Sequence, residues 1–202
     1  MCTTARHGGA CAVADAPVLV TERLRLRWLD QRDLPRFCEL AGAPEVFETT
    51  LHVPSPYTIA HAREFMEHQR RAWERGQAYL VAIAMRESDE VIGAIGLELR
   101  RAMDRGELGF WVGVPYWNRG YATEAAGAVL GFGFEHLRLN RIWAGHFAGN
   151  EASGRVQQKL GMKFEGVLRQ ALKKGNTYHD DVVHAVLREE FEPKIKWEIE
   201  QL

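Results

Sequence analysis

The stretch Gly109-Phe110-Trp111-Val112-Gly113-Val114-Pro115-Tyr116-Trp117-Asn118-Arg119-Gly120-Tyr121-Ala122-Thr123-Glu124-Ala125 reads as an apolar strand that turns through a glycine straight into a helix. Such a junction can hold a polyphosphate. Gly120 has no side chain, so the backbone there can approach a bound anion closely, and the first N–H groups of the following helix are unpaired and point at the same spot. Arg119 adds a full positive charge. Taken alone, Trp117-x-x-Gly120-x-Ala122 is a common structural turn.

A second feature lies downstream. Asn150-Glu151-Ala152-Ser153 opens a helix that runs through Val156 and Leu160 and stops at Gly161. With Asn150 as N-cap, Ser153 falls at the third helical position, so both side chains lie beside unpaired backbone donors. The two features in this order resemble the acetyl-CoA site of the GNAT superfamily of N-acetyltransferases. That family's pyrophosphate loop is Gln/Arg-x-x-Gly-x-Gly/Ala; here Trp117 replaces the first residue and Ala122 closes the motif. The wording Gly120-Tyr121-Ala122-Thr123-Glu124-Ala125, the later Asn-x-x-Ser and the run 159–166 look most like the branch of ribosomal-protein N-terminal acetyltransferases. Residues 19–27 resemble that branch's opening strand and 175–180 its final hairpin, so the resemblance covers about residues 18–190.

Composition agrees with one enzyme-sized unit. A chain of 202 residues, 46% hydrophobic and 26% charged, is long enough for one well-buried core. We expect residues 1–17 to be a disordered leader, 18–190 the acetyltransferase domain and 191–202 a C-terminal extension. A net charge of -1 gives no global attraction to nucleic acid or to an anionic membrane. The cysteines, Cys2, Cys11 and Cys38, have no spacing that suits zinc or a disulfide framework, so no metal is expected and a reducing compartment fits best. No run of eighteen apolar residues occurs and the leader lacks an apolar segment, so a cytoplasmic protein, monomeric or homodimeric, is expected.

Periodicity supplies the elements. Leu24, Leu26 and Trp28 alternate with Arg23, Arg25 and Arg27 in a strand with one wet face. Residues 30–41 and 59–75 read as helices, the second with Ile59, Ala62, Phe65, Met66, Gln69, Ala72 and Trp73 on one stripe. The connector 50–58, with Pro54 and Pro56, reads as a semi-rigid loop. Strands at 79–85, 91–99 and 107–114 are separated by turn residues and should form an antiparallel meander. The helix 121–136 carries Gly127, Gly131 and Gly133, each costing about 1 kcal/mol against alanine, which suits a helix lying close on a sheet. Strands at 141–147, 164–171 and 178–187 complete an α/β order in which helices are inserted between sheet strands. The resemblance makes this the GNAT fold, a mixed, mostly antiparallel sheet of six to seven strands with helices on both faces.

The resemblance also implies a splayed cofactor cleft. In the family, the strand matching residues 110–114 parts from the one matching 142–147, leaving unpaired peptide groups that need another partner. Pantetheine would serve as the missing strand along Val112, Gly113 and Val114, with Val112 and Val114 as main-chain partners. The pyrophosphate would fall on Asn118, Arg119, Gly120, Tyr121, Ala122 and Thr123. Asn150 and Ser153 would complete the cofactor contacts, and the Val112 N–H would polarise the thioester carbonyl.

Acetyl transfer needs a neutral amine, a polarised thioester and a proton for the leaving thiolate. An α-amino group, with a pKa of about 7.7 to 8.0, is far easier to deprotonate than an alkyl amine. Glu107, at the start of the central strand, is the first candidate base, weighed against a solvated charge beside Arg105; Glu98 and His146 are the others. Many family members protonate the thiolate with a Tyr seven residues after the motif Asn, where this chain has Gln157, and Ser153 matches the serine that the ribosomal-protein branch places near the sulfur. That branch's basic Glu falls on Leu172. The expected activity is direct acetyl transfer from acetyl-CoA to a primary amine, either a protein α-amino terminus or a small amine such as an amino acid, polyamine or antibiotic. A module that binds CoA without turnover is the alternative from another class.

Overall fold

The computed structural model describes residues 16–200; Cys2, Cys11 and the expected leader through Asp15 lie outside the described residues. Ala16 is buried in the core and Pro17 accepts a hydrogen bond from the Tyr79 hydroxyl at 2.9 Å, so these two belong to the folded unit.

One open sheet organises the chain. Its strands are β1 (Leu19–Val20), β2 (Leu24–Arg27), β3 (Ala78–Met85), β4 (Val91–Arg100), β5 (Arg105–Val112), β6 (Arg141–Phe147), β7 (Lys163–Lys174), β8 (Thr177–Leu187) and β9 (Glu198–Ile199). Their order across the sheet is β7-β8-β6-β5-β4-β3-β2-β1-β9. Every pairing is antiparallel except β5 with β6. Nine strands replace the expected six to seven because β1 and β9 are two-residue ribbons. Neither is long enough to show alternation, and each exists only through its partner.

Helices cover both faces. On one side lie α1 (Leu34–Ala41) and α3 (Ile59–Glu74), which bury Leu34, Phe37 and Ala62 against Ala82, Val91 and Ala94. Thr58 starts α3: its backbone N–H donates to His61 Nδ1 at 3.1 Å and its hydroxyl accepts from the His61 N–H. The expected helix over 30–41 divides, because Asp30 caps a 3₁₀ turn at Gln31–Asp33 before α1 begins beside Pro35. A short helix that periodicity does not reveal, α2 (Pro44–Thr49), precedes the irregular loop 50–58.

The other face carries α4 (Tyr121–Glu135) and α5 (Glu151–Lys159) over Leu97, Leu108, Ile142 and Ala144. The glycines of α4 correct a sequence expectation. Gly133 does face the sheet, where a Cβ would lie 2.7 Å from Ile142 Cδ1. At Gly127 and Gly131, however, a Cβ would meet Ile195 Cγ1 at 2.4 Å and Trp197 Nε1 at 2.3 Å. Those two make room for residues 191–200, which cross the outer side of α4 and add β9 to β1. No helix among the described residues is long and apolar enough to cross a membrane.

Candidate active site

The cleft is built by two strands that stop pairing. β5 and β6 run parallel only at Arg105–Arg141, Gly106–Ile142 and Glu107–Trp143, and beyond that point they part. Gly113 N–H donates to Ile92 O at 2.8 Å, which places odd-numbered β5 residues in hydrogen-bonded pairs with β4. Alternation then turns the main-chain groups of Leu108, Phe110 and Val112 away from β4, into the gap.

Each expected contact of that gap has a definite setting. The Val112 carbonyl accepts from Trp117 Nε1 at 2.5 Å, so its N–H is the group left for a ligand. Gly113 uses both main-chain groups inside the protein, and a Cβ there would lie 2.6 Å from Leu40 Cδ2, so close packing against α1 explains its lack of a side chain. Val114 opens a 3₁₀ turn, Val114–Tyr116, where its carbonyl accepts from Trp117 N–H at 3.1 Å.

The loop behind the cleft is bent by two left-handed residues. Asn118 (φ 59°) and Gly120 (φ 80°) both adopt left-handed backbone on either side of Arg119. Gly120 is the N-cap of α4 and supplies no side-chain cap, while Glu124 N–H bonds Gly120 O at 3.0 Å. The N–H groups of Tyr121, Ala122 and Thr123 therefore face outward at the positive end of a fifteen-residue helix.

A buttress that sequence reasoning missed holds this loop. Glu124, buried in the first turn of α4, accepts from Thr21 Oγ1 at 2.7 Å, from Arg23 N–H at 2.9 Å and from Arg23 Nε at 2.6 Å. Arg23 Nη1 also donates to Arg119 O at 3.0 Å, and its guanidinium stacks over Tyr121 at 4.6 Å. Sequence alternation showed Arg23 only as a wet strand residue; its pairing spans the distance from β2 to α4.

Asn150 caps α5 as expected, with Oδ1 accepting from Ser153 N–H at 3.2 Å, while its Nδ2 donates to Thr49 O at 3.3 Å. Lys174 Nζ adds bonds to Phe47 O and to Thr50 O, the latter 2.8 Å long. The α5 N-terminus and the β7–β8 hairpin thus both grip the end of α2, fixing where the 50–58 loop begins.

The carboxylates sit on the α1/α3 face. Glu98 and Glu107 are direct register partners on β4 and β5, and Glu107 is the last β5 residue paired with β6. Asp181 joins them: it pairs with Phe147 on β6, and a Cβ on Gly145 would lie 2.3 Å from its Oδ1. Glu107 keeps solvent contact, yet protein crowds it enough that desolvation, followed by repulsion from Glu98 and Asp181, raises its pKa; Arg100 and His52 oppose the shift. Burial likewise raises Asp181, opposed by His146. His146 itself lies on the other face, toward α5, where a Cβ on Gly154 would stand 2.9 Å from its Nε2 and its ring stacks on His184 at 5.7 Å. Among the described residues no His, Cys, Asp or Glu group is placed to hold a metal ion.

Residues 23–163 match the model of the acetyltransferase (GNAT) domain. This chain belongs to the GNAT acetyltransferase family. It is 32% identical over 175 residues to "Uncharacterized N-acetyltransferase p20" of Bacillus licheniformis, covering 86% of this chain and 97% of the relative. It is 27% identical over 178 residues to "Putative ribosomal N-acetyltransferase YdaF" of Bacillus subtilis, covering 86% and 96%. Mycobacterium smegmatis RimJ, solved in complex with CoA-disulfide, shares the fold at a TM-score of 0.74 and 20% identity, over 87% of each chain. The GNAT fold, an N-acetyltransferase of GNAT type and an acyltransferase class of enzyme follow for this chain.

Proposed function

We propose that this GNAT protein transfers the acetyl group of acetyl-CoA directly to a primary amine, with a protein α-amino terminus as acceptor and Glu107 as base. One observation carries the reading: β5 and β6 part immediately after Glu107 and Trp143. That parting sets a carboxylate of raised pKa at the root of a cleft whose other end is the uncapped helix at Gly120. The residues present fit acetyl-CoA, because the gap offers unpaired main-chain groups and the Asn118–Gly120 backbone offers a concave anion seat.

In this reading the N–H groups of Tyr121, Ala122 and Thr123, with Arg119, hold the pyrophosphate, and Val112 N–H donates to the thioester oxygen as negative charge builds there. Glu107, directly or through one water, takes the proton from the acceptor amine, whose nitrogen bonds to the acetyl carbon while the carbon–sulfur bond breaks. Ser153 donates a hydrogen bond to the departing sulfur. An α-amino group suits a carboxylate base because little driving force is needed to deprotonate it.

A small polycationic amine is the second reading, supported by three carboxylates, Glu98, Glu107 and Asp181, converging on one face. Mass spectrometry after incubation with acetyl-CoA and cell extract separates the two: N-terminally acetylated peptides support the first and acetylated small amines the second. Intact acetyl-CoA with no acetylated species contradicts both, and CoA binding by calorimetry in that case would mark a CoA-binding module.

A further inference from the structure

Gln157 is fully buried on α5, yet its carboxamide is only half used. Its Nε2 donates to Ser153 Oγ at 3.4 Å, one helical turn away, and its Oε1 has no partner among the described residues. A buried unpaired carbonyl is destabilising, so an apolar side chain would serve packing better at this position. Ser153, half-buried, has its backbone N–H bound to Asn150 Oδ1, and its hydroxyl proton has no acceptor among the described residues. A serine hydroxyl holds one proton and two lone pairs. Because Gln157 is the donor in this pair, the Ser153 proton points away from it, free to donate elsewhere.

We infer that Gln157 is a positioning residue that orients the Ser153 hydroxyl to donate to the thiolate of CoA. This rests on the reading of Ser153 given under the proposed function. The device differs from a phenol acid: Gln157 transfers no proton, and it works only through Ser153. Its carboxamide fixes the direction of the hydroxyl and, by donating to Oγ, polarises the O–H bond. No bond is made or broken by Gln157 itself.

The test is titration of the thiolate absorbance of CoA bound to the protein, with free CoA measured alongside. This readout requires no acceptor amine. In the wild type the bound thiol should ionise below free CoA, and Ser153→Ala should raise its pKa by about one unit, the scale of one hydrogen bond to an anion. Gln157→Met should raise it by a similar amount in the wild type and by nothing further in Ser153→Ala. Gln157→Glu, whose carboxylate would accept the Ser153 proton, should raise it beyond Gln157→Met in the wild type and by less in Ser153→Ala, where only charge repulsion remains. Thermal unfolding of each variant confirms that it is folded. A shift for Ser153→Ala with none for Gln157→Met overturns the inference and leaves Ser153 standing. Equal shifts for Gln157→Met in both backgrounds also overturn it. No shift for Ser153→Ala, or no CoA binding by calorimetry, overturns the Ser153 or cofactor reading and this inference with it.

Discussion

Glu98 and Glu107 stand directly opposite one another on β4 and β5, two carboxylates in register on one face of the sheet. Like charges so placed repel, and a sheet gains nothing from them structurally. At the root of the cleft this repulsion adds to desolvation in raising the Glu107 pKa, the direction that the proposed base requires.

Glu107→Gln should therefore lose the acidic limb of the kcat/KM profile and about 10²-fold or more in rate. Raising the pH should partly rescue it, because more acceptor amine is then already neutral. Wild-type rates across the pH range would move the role to Glu98 or to solvent.

The same substitution should stabilise the fold. A raised carboxylate pKa means that the native state binds the proton more tightly than the unfolded chain does. The resulting destabilisation is absent below the unfolded pKa, about 4.3, and is complete above the folded one. Glu107→Gln should then melt above wild type at pH 7, with the difference vanishing near pH 4. Circular dichroism melts at both pH values provide the check, and a lower melting temperature at pH 7 would contradict the sign.

Glu124→Ala should unhook Thr21 and Arg23 from α4. The buried Thr21 hydroxyl, left without its acceptor, costs on the order of 2 kcal/mol, readable by urea denaturation, while the exposed Arg23 turns to water. A change under a few tenths would mean that the Arg23 contacts are too solvated to hold the loop.

Ser153→Ala should lower kcat more than it raises the KM for acetyl-CoA, because its hydrogen bond strengthens only as charge develops on sulfur. A change confined to KM would make Ser153 a ground-state cofactor contact.

Where residues announce themselves locally, sequence reading located them. The α3 stripe from Ala62 onward, the β3–β4–β5 meander, the Gly120 turn and the Asn150 cap all depend on near neighbours, and each is present, although Ile59 at the start of the expected stripe is exposed. What escaped depends on distant partners. Asp181 lies more than seventy residues from Glu107 in the chain and joins it only because β8 pairs with β6. Glu124 reads as one more helical acid until β2 brings Arg23 to it. Gly127 and Gly131 cannot reveal that their neighbours are Ile195 and Trp197 rather than the sheet. α2 spans six residues, too few for a period to show.

If the Gly120 turn and the parted strands form the acetyl-CoA site, calorimetric titration of acetyl-CoA into wild type and Gly120→Glu will separate the two proteins. Gly120 holds φ at 80°, so glutamate there meets backbone strain and places a negative charge where the pyrophosphate would sit. The wild type should bind, and a variant shown to be folded by circular dichroism should bind more than tenfold more weakly, a loss of about 1.4 kcal/mol or more. Equal affinity in the two proteins would contradict the placement of the cofactor on this loop.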